Sequence, residues 1–483
     1  MLSKSSQFLH RLIGFVDVLG LLLLAMAGWS MRSGLSLTGL SDGDTWGFLM
    51  PAFSFLAGDG IVDVQQREWV YSAFIGLALQ LTGSFAGLIS LQQAIGMLGG
   101  ILLWLTWQAW VSLLPHGFPL RILAVVAGWM TVAVYFLNPH LIFFERSIRP
   151  EVLMVPAAVA QLLCMILFCK YRWDSPSGLR AVLSGAGAIL FAFVVFKLKP
   201  SWALAIPVTI LPVFIGVLGR GLPLSYRVAT PVLGVVAVLL FVWLPQKLIF
   251  VTDGQPRTIL PQTLFTMNAE SIRDSMSQRL EGDRLSPERA ALYKEILPVL
   301  EEELDTARTL LRHYPQVGFD PDYLLYQADI FPQLVHKHGL DKGNIADFCN
   351  STYAHAWLDE PVGMISKILR QFTYFIFPDT LTFSRKQIPL KDLYANSVKV
   401  LPERPSGEMP SWALDAYDFH RQNLAHESNK SNATIESFRP PHKFLREMTS
   451  FILPLELVYI ALLGAVFLLG SLRDFRLPGL VAL

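Results

Sequence analysis

Runs of about 17 to 25 apolar residues recur along this chain, and no other feature narrows its fold so far, because a helix of that length crosses the hydrocarbon of a bilayer. They lie near 12–30, 90–113, 122–138, 151–170, 181–196, 201–219, 228–248 and 449–471, about eight crossings. Only 16% of the 483 residues are charged and 53% are hydrophobic, against about 25% charge in an ordinary soluble protein. The expected fold class is an all-α polytopic membrane protein. The net charge of +1 carries no basic footprint, so no nucleic-acid partner is expected. Three cysteines, Cys164, Cys169 and Cys349, imply no disulfide framework.

Lys4 and Arg11 precede an apolar run whose Ala25-Met26-Ala27 resembles a signal-cleavage site. The run continues to Trp29 and more spans follow, so it reads as a retained helix. In either case residue 31 onward emerges outside. The piece from Trp69 to Ala86 is apolar but interrupted by Gln80, Thr82, Gly83 and Ser84. If it does not cross, the basic residues at the connections share one side: Lys4 and Arg11, Arg121, Lys170 with Arg172 and Arg180, Arg220 with Arg227, and Arg473 with Arg476. If it crosses, that positive-inside pattern collapses. It is therefore expected to be re-entrant or interfacial on the outer side.

The same parity puts three connections on the outer face. The loop 41–71 carries Asp42, Asp44, Asp59, Asp63 and Arg67 among aromatic residues. The turn 139–151 carries Glu145, Arg149 and Glu151, and the turn 197–200 carries Lys197 and Lys199. The two lysines break the positive-inside pattern, either by snorkelling to headgroups or by meeting a phosphate in a site. Carboxylates beside cations at the rim of a lipid-embedded module suit a reaction with a phosphate leaving group. An acid deprotonates the incoming hydroxyl while a cation offsets charge on the departing phosphate.

From 249 to 447 the composition is that of a soluble segment. Ser286-Pro287-Glu288 is a helix start, and helices are also expected near 322–337 and 344–358. The stretch 361–377 reads as an amphipathic helix on the outer interface, and 400–440 as a loose loop. The expected domains are a membrane module over 1–248, a mostly helical outer domain over 249–447, and a last span with a short cytoplasmic tail over 448–483.

The run G-D-T-W-G-F at 43–48, followed by A-F-S-F-L-A-G-D-G at 52–60 and R-E-W-V-Y at 67–71, resembles the first outer loop of the C-type (GT-C) glycosyltransferases. It is most similar to bacterial members of the aminoarabinose and protein mannosyl transferase type. R-S-I-R-P-E-V-L-M at 146–154 and F-K-L-K-P-S-W at 196–202 are similar to two further family turns. The resemblance covers about residues 10 to 250, and it departs from the pattern at Val70 and Ser72, where relatives carry proline. Relatives also continue with spans beyond the segment at 449–476.

The resemblance implies a GT-C-like module with interfacial helices in its first outer loop, sitting in a bacterial inner membrane with its site facing the periplasm. It implies inverting transfer of a sugar from a polyprenyl-phosphate donor to an acceptor lipid, glycan or protein. Asp44 would be the general base and Glu151 would position the acceptor or the base. Lys199 and Arg67 would hold the lipid phosphate, with Asp42, Tyr71, Glu145, Arg149 and Lys197 as further substrate contacts. No cofactor is required by this reading, although the Asp42 and Asp44 spacing also resembles a metal-binding pair for a divalent cation. A transporter or flippase of lipid-linked sugars is the alternative; its signature is internal repeats and broken helices meeting at midplane. No repeat is seen, the charged clusters lie at an outer boundary, and lone Asp17 and Gln108 inside spans form no pathway.

Overall fold

The computed structural model describes residues 4–62, 67–113, 121–174, 176–219, 221–251, 259–282, 285–310, 317–376, 390–403 and 409–430. They fall into two compact units, the first comprising Met1–Val251 with the chain from Gln387 onward, the second Thr252–Lys386.

The first unit opens with α1 (Lys4–Ser33), α2 (Trp46–Ala57), α3 (Trp69–Thr82) and α4 (Phe85–Leu113). There follow α5 (Arg121–Leu137), α6 (Pro139–Arg146), α7 (Glu151–Cys169), α8 (Gly178–Leu198), α9 (Ala205–Leu218), α10 (Leu224–Val238) and α11 (Leu244–Ile249). Among the described residues six stretches are helical, long and apolar enough to cross a membrane: Phe15–Ser33, Phe85–Leu113, Glu151–Asp174, Gly178–Leu198, Pro200–Leu218 and Leu224–Ile249. The chain is a multi-pass, all-α membrane protein. Of the other two expected crossings, the one near 122–138 is a shorter apolar helix, Ala124–Leu137, and the one near 449–471 lies outside the described residues.

Small residues let the spans approach, as is usual where lipid supplies no hydrophobic drive between helices. A Cβ on Gly96, Gly99 or Gly100 of α4 would run into Glu145, Tyr135 or Phe136 respectively. A Cβ on Gly185 of α8 would meet Thr230 of α10 and Phe168 of α7. The loop 41–71 folds back as two short helices. Alpha-2 stops at Gly58, whose left-handed φ of 96° lets its amide reach the carbonyls of Phe55 and Ser54. Alpha-3 stops in the same way at Gly83, at φ 67°. Between them Ile61 and Val62 pair in parallel with Phe250 and Val251.

The second unit contains α12 (Leu260–Met267), α13 (Ala269–Glu281), α14 (Pro287–Thr309), α15 (Pro321–Tyr326), α16 (Ile330–His336), α17 (Lys342–Asp359) and α18 (Pro361–Ile376). The starts of α14 and α17 are capped by side chains: Ser286 Oγ accepts from the Arg289 amide at 3.4 Å and Asp341 from the Asn344 amide at 2.8 Å. Phe265, Ile272, Tyr293, Leu300, Leu304 and Phe348 form its core, each fully buried aliphatic stabilising by about 1.5–3 kcal/mol. On α18, Met364 and Lys367 are buried while Val362, Ile365 and Leu369 are exposed. The Lys367 ammonium donates to Asn268 Oδ1 at 2.8 Å. Burial, with Arg370 nearby, pulls its pKa down to about 8.

The chain then returns to the first unit as α19 (Leu390–Val400) and α20 (Ser411–Asn429). Two expectations are corrected here. The stretch 400–440 is not a loose loop where it is described, because Tyr417 and Leu424 give α20 a buried face. The outer domain read as 249–447 is the shorter segment Thr252–Lys386, since Leu390, Tyr394, Leu401, Tyr417 and Leu424 join the core made by α2, α3, α4 and α7.

Candidate active site

Three stretches far apart in sequence meet at one polar cluster in the first unit. The first is the turn before α2. The Asp42 amide donates to Thr45 Oγ1 at 2.9 Å, and Asp42 Oδ1 accepts from the Asp44 amide at 3.0 Å. These short bonds fix the acid pair in a tight turn, which is the local conformation that aspartate favours. The second stretch is the connection from α6 to α7. It is laid beside the first as a parallel bridge, the Leu40 amide donating to Arg146 O at 2.8 Å and the Ile148 amide to Leu40 O at 2.9 Å. The third is the C-terminus of α8, where Pro200 ends the α-helix and leaves Lys199 extended at its cap.

The side chains form a continuous network. Arg67 donates to Asp44 Oδ1 at 2.5 Å, and its guanidinium lies 5.4 Å from the centre of the Phe48 ring. Arg149 spans both aspartates, reaching Asp42 Oδ2 at 3.1 Å and Asp44 Oδ2 at 3.2 Å. Its Nε faces Glu151 Oε2 at 3.7 Å, and the other oxygen of Glu151 accepts from Lys199 Nζ at 2.6 Å. Asp44 and Lys199 are the most accessible members, with side chains 40% and 39% exposed, whereas Glu151 is 15% exposed. The cluster is thus open on the Asp44 and Lys199 side and closed beneath Glu151. Glu151 Oε2, Arg149 Nε and Arg67 Nε are buried without a hydrogen bond, the first two facing each other as an ion pair at 3.7 Å.

Of the nine residues singled out from sequence, six lie in this network: Asp42, Asp44, Arg67, Arg149, Glu151 and Lys199. The other three are elsewhere. Glu145 is turned into the bundle, where it is 4% exposed and takes two 2.6 Å bonds from Arg32. Glu145 therefore stands apart from the network, packed where Gly96 leaves room for its carboxylate. Lys197, two residues before Lys199 on a helical turn, pairs with Glu68 at 3.1 Å instead of joining the acids. Tyr71 is 1% exposed and donates to Gln92 Oε1 at 2.9 Å. Gln92 Nε2 in turn donates to the carbonyls of Glu145 and Ser147, so Tyr71 is tied through Gln92 to the second stretch and stands apart from the acid and cation network. Asp63 lies outside the described residues.

Arg32, Glu68 and Gln92, the partners of Glu145, Lys197 and Tyr71, are not anticipated from sequence. Arg32 and Gln92 carry a signal nonetheless, being polar residues at or within expected spans, where a polar group is costly unless paired. Among the described residues no group of three or more His, Cys, Asp or Glu side chains is arranged to hold a metal ion. Arg149 sits between the two aspartates that resemble a metal pair.

Comparisons with family models, with curated proteins and with solved structures find no match to this chain.

Proposed function

We propose that this protein is an integral membrane glycosyltransferase of the GT-C type. It would move a sugar from a polyprenyl-phosphate donor to an acceptor hydroxyl at the outer face of the membrane, with inversion. The observation that carries the reading is that Asp44 and Glu151, from separate elements, meet a single guanidinium, that of Arg149, with Lys199 at the same rim.

In this reading the acceptor oxygen attacks the anomeric carbon as the bond from that carbon to the phosphate oxygen breaks. The acceptor proton passes to Asp44, and the phosphate leaves with the bonding electrons. Asp44 suits the base because it is the most exposed acid of the cluster and holds its place through two guanidinium groups. Lys199 suits the phosphate, since its ammonium is tied to only one carboxylate oxygen and has donors to spare. Arg67 stands on the far side of Asp44 as a second cation. Preorganised charge of this kind is worth most where water is excluded. Each cation is already offset by an acid, so a donor phosphate would exchange partners with Glu151 and Asp44 instead of filling a vacant positive pocket.

The test is to incubate the purified full-length protein in lipid nanodiscs with radiolabelled polyprenyl-phosphate sugars and extracted envelope acceptors, without any ion gradient. Gradient-independent release of polyprenyl phosphate, matched by label in the acceptor, is the expected result. Movement of donor across vesicles without its consumption would overturn the proposal.

A further inference from the structure

The acid turn is held from a direction that this chemistry does not use. Ser41, the residue before Asp42, has both of its backbone polar atoms on one hydroxyl: its amide donates to Ser397 Oγ at 2.9 Å, and Ser397 Oγ donates to its carbonyl at 3.0 Å. Ser397 is fully buried on α19. Its single proton is divided between Ser41 O and Leu393 O, the latter at 2.8 Å, while its lone pair is committed to the Ser41 amide. One helical turn earlier, Tyr394 accepts a hydrogen bond from Arg146 Nη2 at 2.5 Å. The same nitrogen lies 3.4 Å from Thr38 O. Arg146 is fully buried, and its Nε and Nη1 have no partner, so the tyrosine is one of only two groups satisfying that guanidinium among the described residues.

The stretch 38–41 therefore lies between two walls. One is the backbone of 146–148, which bonds to Leu40, and the other is the Tyr394 and Ser397 face of α19. Alpha-20 backs this second wall: Tyr417 packs edge-on to Phe53 of α2, and His420 stacks on Phe85 of α4 at 4.3 Å. A turn bonded on one side only is free to rock about that bridge. Bonded on both, it fixes where Asp42 and Asp44 stand relative to Arg149.

We infer that Ser397, with Tyr394, is a positioning residue for the Asp42–Asp44 turn, and that α19 acts as the clamp that sets the two carboxylates. The catalytic consequence rests on the transferase reading, but the clamp itself does not. A misplacement of about 1 Å at a reacting group can cost about 10²-fold in rate, so the clamp is read in turnover as well as in local order.

The test uses the full chain in nanodiscs with Ser397→Ala, Ser397→Thr and Tyr394→Phe. Hydrogen exchange at residues 38–46 is expected to quicken by roughly five- to 150-fold in Ser397→Ala, the range for leaving a buried backbone group without its partner, with peptides from α8 and α14 unchanged. In the transfer assay kcat should fall by about 10- to 100-fold with little change in the donor KM. Ser397→Thr, which keeps the hydroxyl, should restore most of it. Unchanged exchange at 38–46 in both Ser397→Ala and Tyr394→Phe overturns the clamp. So does full turnover in a folded Ser397→Ala. If Ser397→Ala does not fold, Tyr394→Phe decides through the same readouts. A wild-type protein that transfers nothing overturns the glycosyl-transfer reading and leaves the exchange result to judge the clamp.

Discussion

Lys199 Nζ stands 2.6 Å from Glu151 Oε1, joining the C-terminus of one long apolar helix to the first turn of another. The ammonium sits where the C-terminal carbonyls of α8 favour a cation, and the carboxylate where the N-terminal amides of α7 favour an anion. The pair therefore arises from the way the two helices are cut, and it sets the distance between the second and third stretches of the site. Lys199→Ala should weaken donor binding, raising KM more than it lowers kcat, and should cost no more than about 1 kcal/mol of stability for a pair exposed on the lysine side. Steady-state kinetics beside thermal unfolding in detergent would check both halves.

Asp44→Asn keeps the shape of the turn and one acceptor oxygen for Arg67 or Arg149, but removes the base. Transfer should drop by about 10²- to 10⁴-fold, with normal membrane insertion and an unchanged melting temperature. An Asn variant that turns over at the wild-type rate would leave Asp44 without its assigned role.

Among the described residues the Arg32 and Glu145 pair is the least exposed ion pair, with side chains 0% and 6% exposed. Removing one partner strands the other, so Arg32→Leu or Glu145→Leu alone should destabilise by about 3–5 kcal/mol, while the two changes together should recover much of that loss. Comparing the three variants by thermal unfolding in one detergent tests this. A loss in the double variant equal to the sum of the two single losses would mean that the pair is not coupled.

His420 is fully buried on α20 against Phe85, and burial draws its pKa down to about 3, from 6.5 in an unfolded chain. The unfolded chain binds the proton between these values while the folded one does not, so stability falls as pH drops from 6.5 towards 3. His420→Phe should flatten that part of the profile. Melting temperatures at pH 7 and pH 5, measured for wild type and variant, should diverge less in the variant. A wild-type profile that does not differ from the variant's would contradict the assignment.

The membrane character and most of the site were legible in the chain because both rest on local signals. Six expected spans are helices of the required length and composition, since a run of apolar side chains dictates a helix wherever water is absent. Asp42, Asp44, Arg67, Arg149, Glu151 and Lys199 stand at connections, where ionisable groups draw notice. That Glu145 stands apart from them is not legible, because sequence gives no sign of which way a residue at a helix end turns, and the glycine that seats it is 49 positions earlier in the sequence. Helices α19 and α20 could not be foreseen as part of the first unit. Their link to it, Ser397 to Ser41, spans 356 residues, and no periodicity encodes a contact at that separation.

Three carboxylates facing three cations leave the cluster without a net monopole. Such a site casts almost no field beyond its own rim, so an approaching anionic headgroup is neither drawn in nor pushed away until it touches. On the proposed transferase reading, capture of the lipid donor would depend on two-dimensional diffusion within the leaflet, and its rate should stay flat across ionic strengths that would slow an electrostatic funnel steeply.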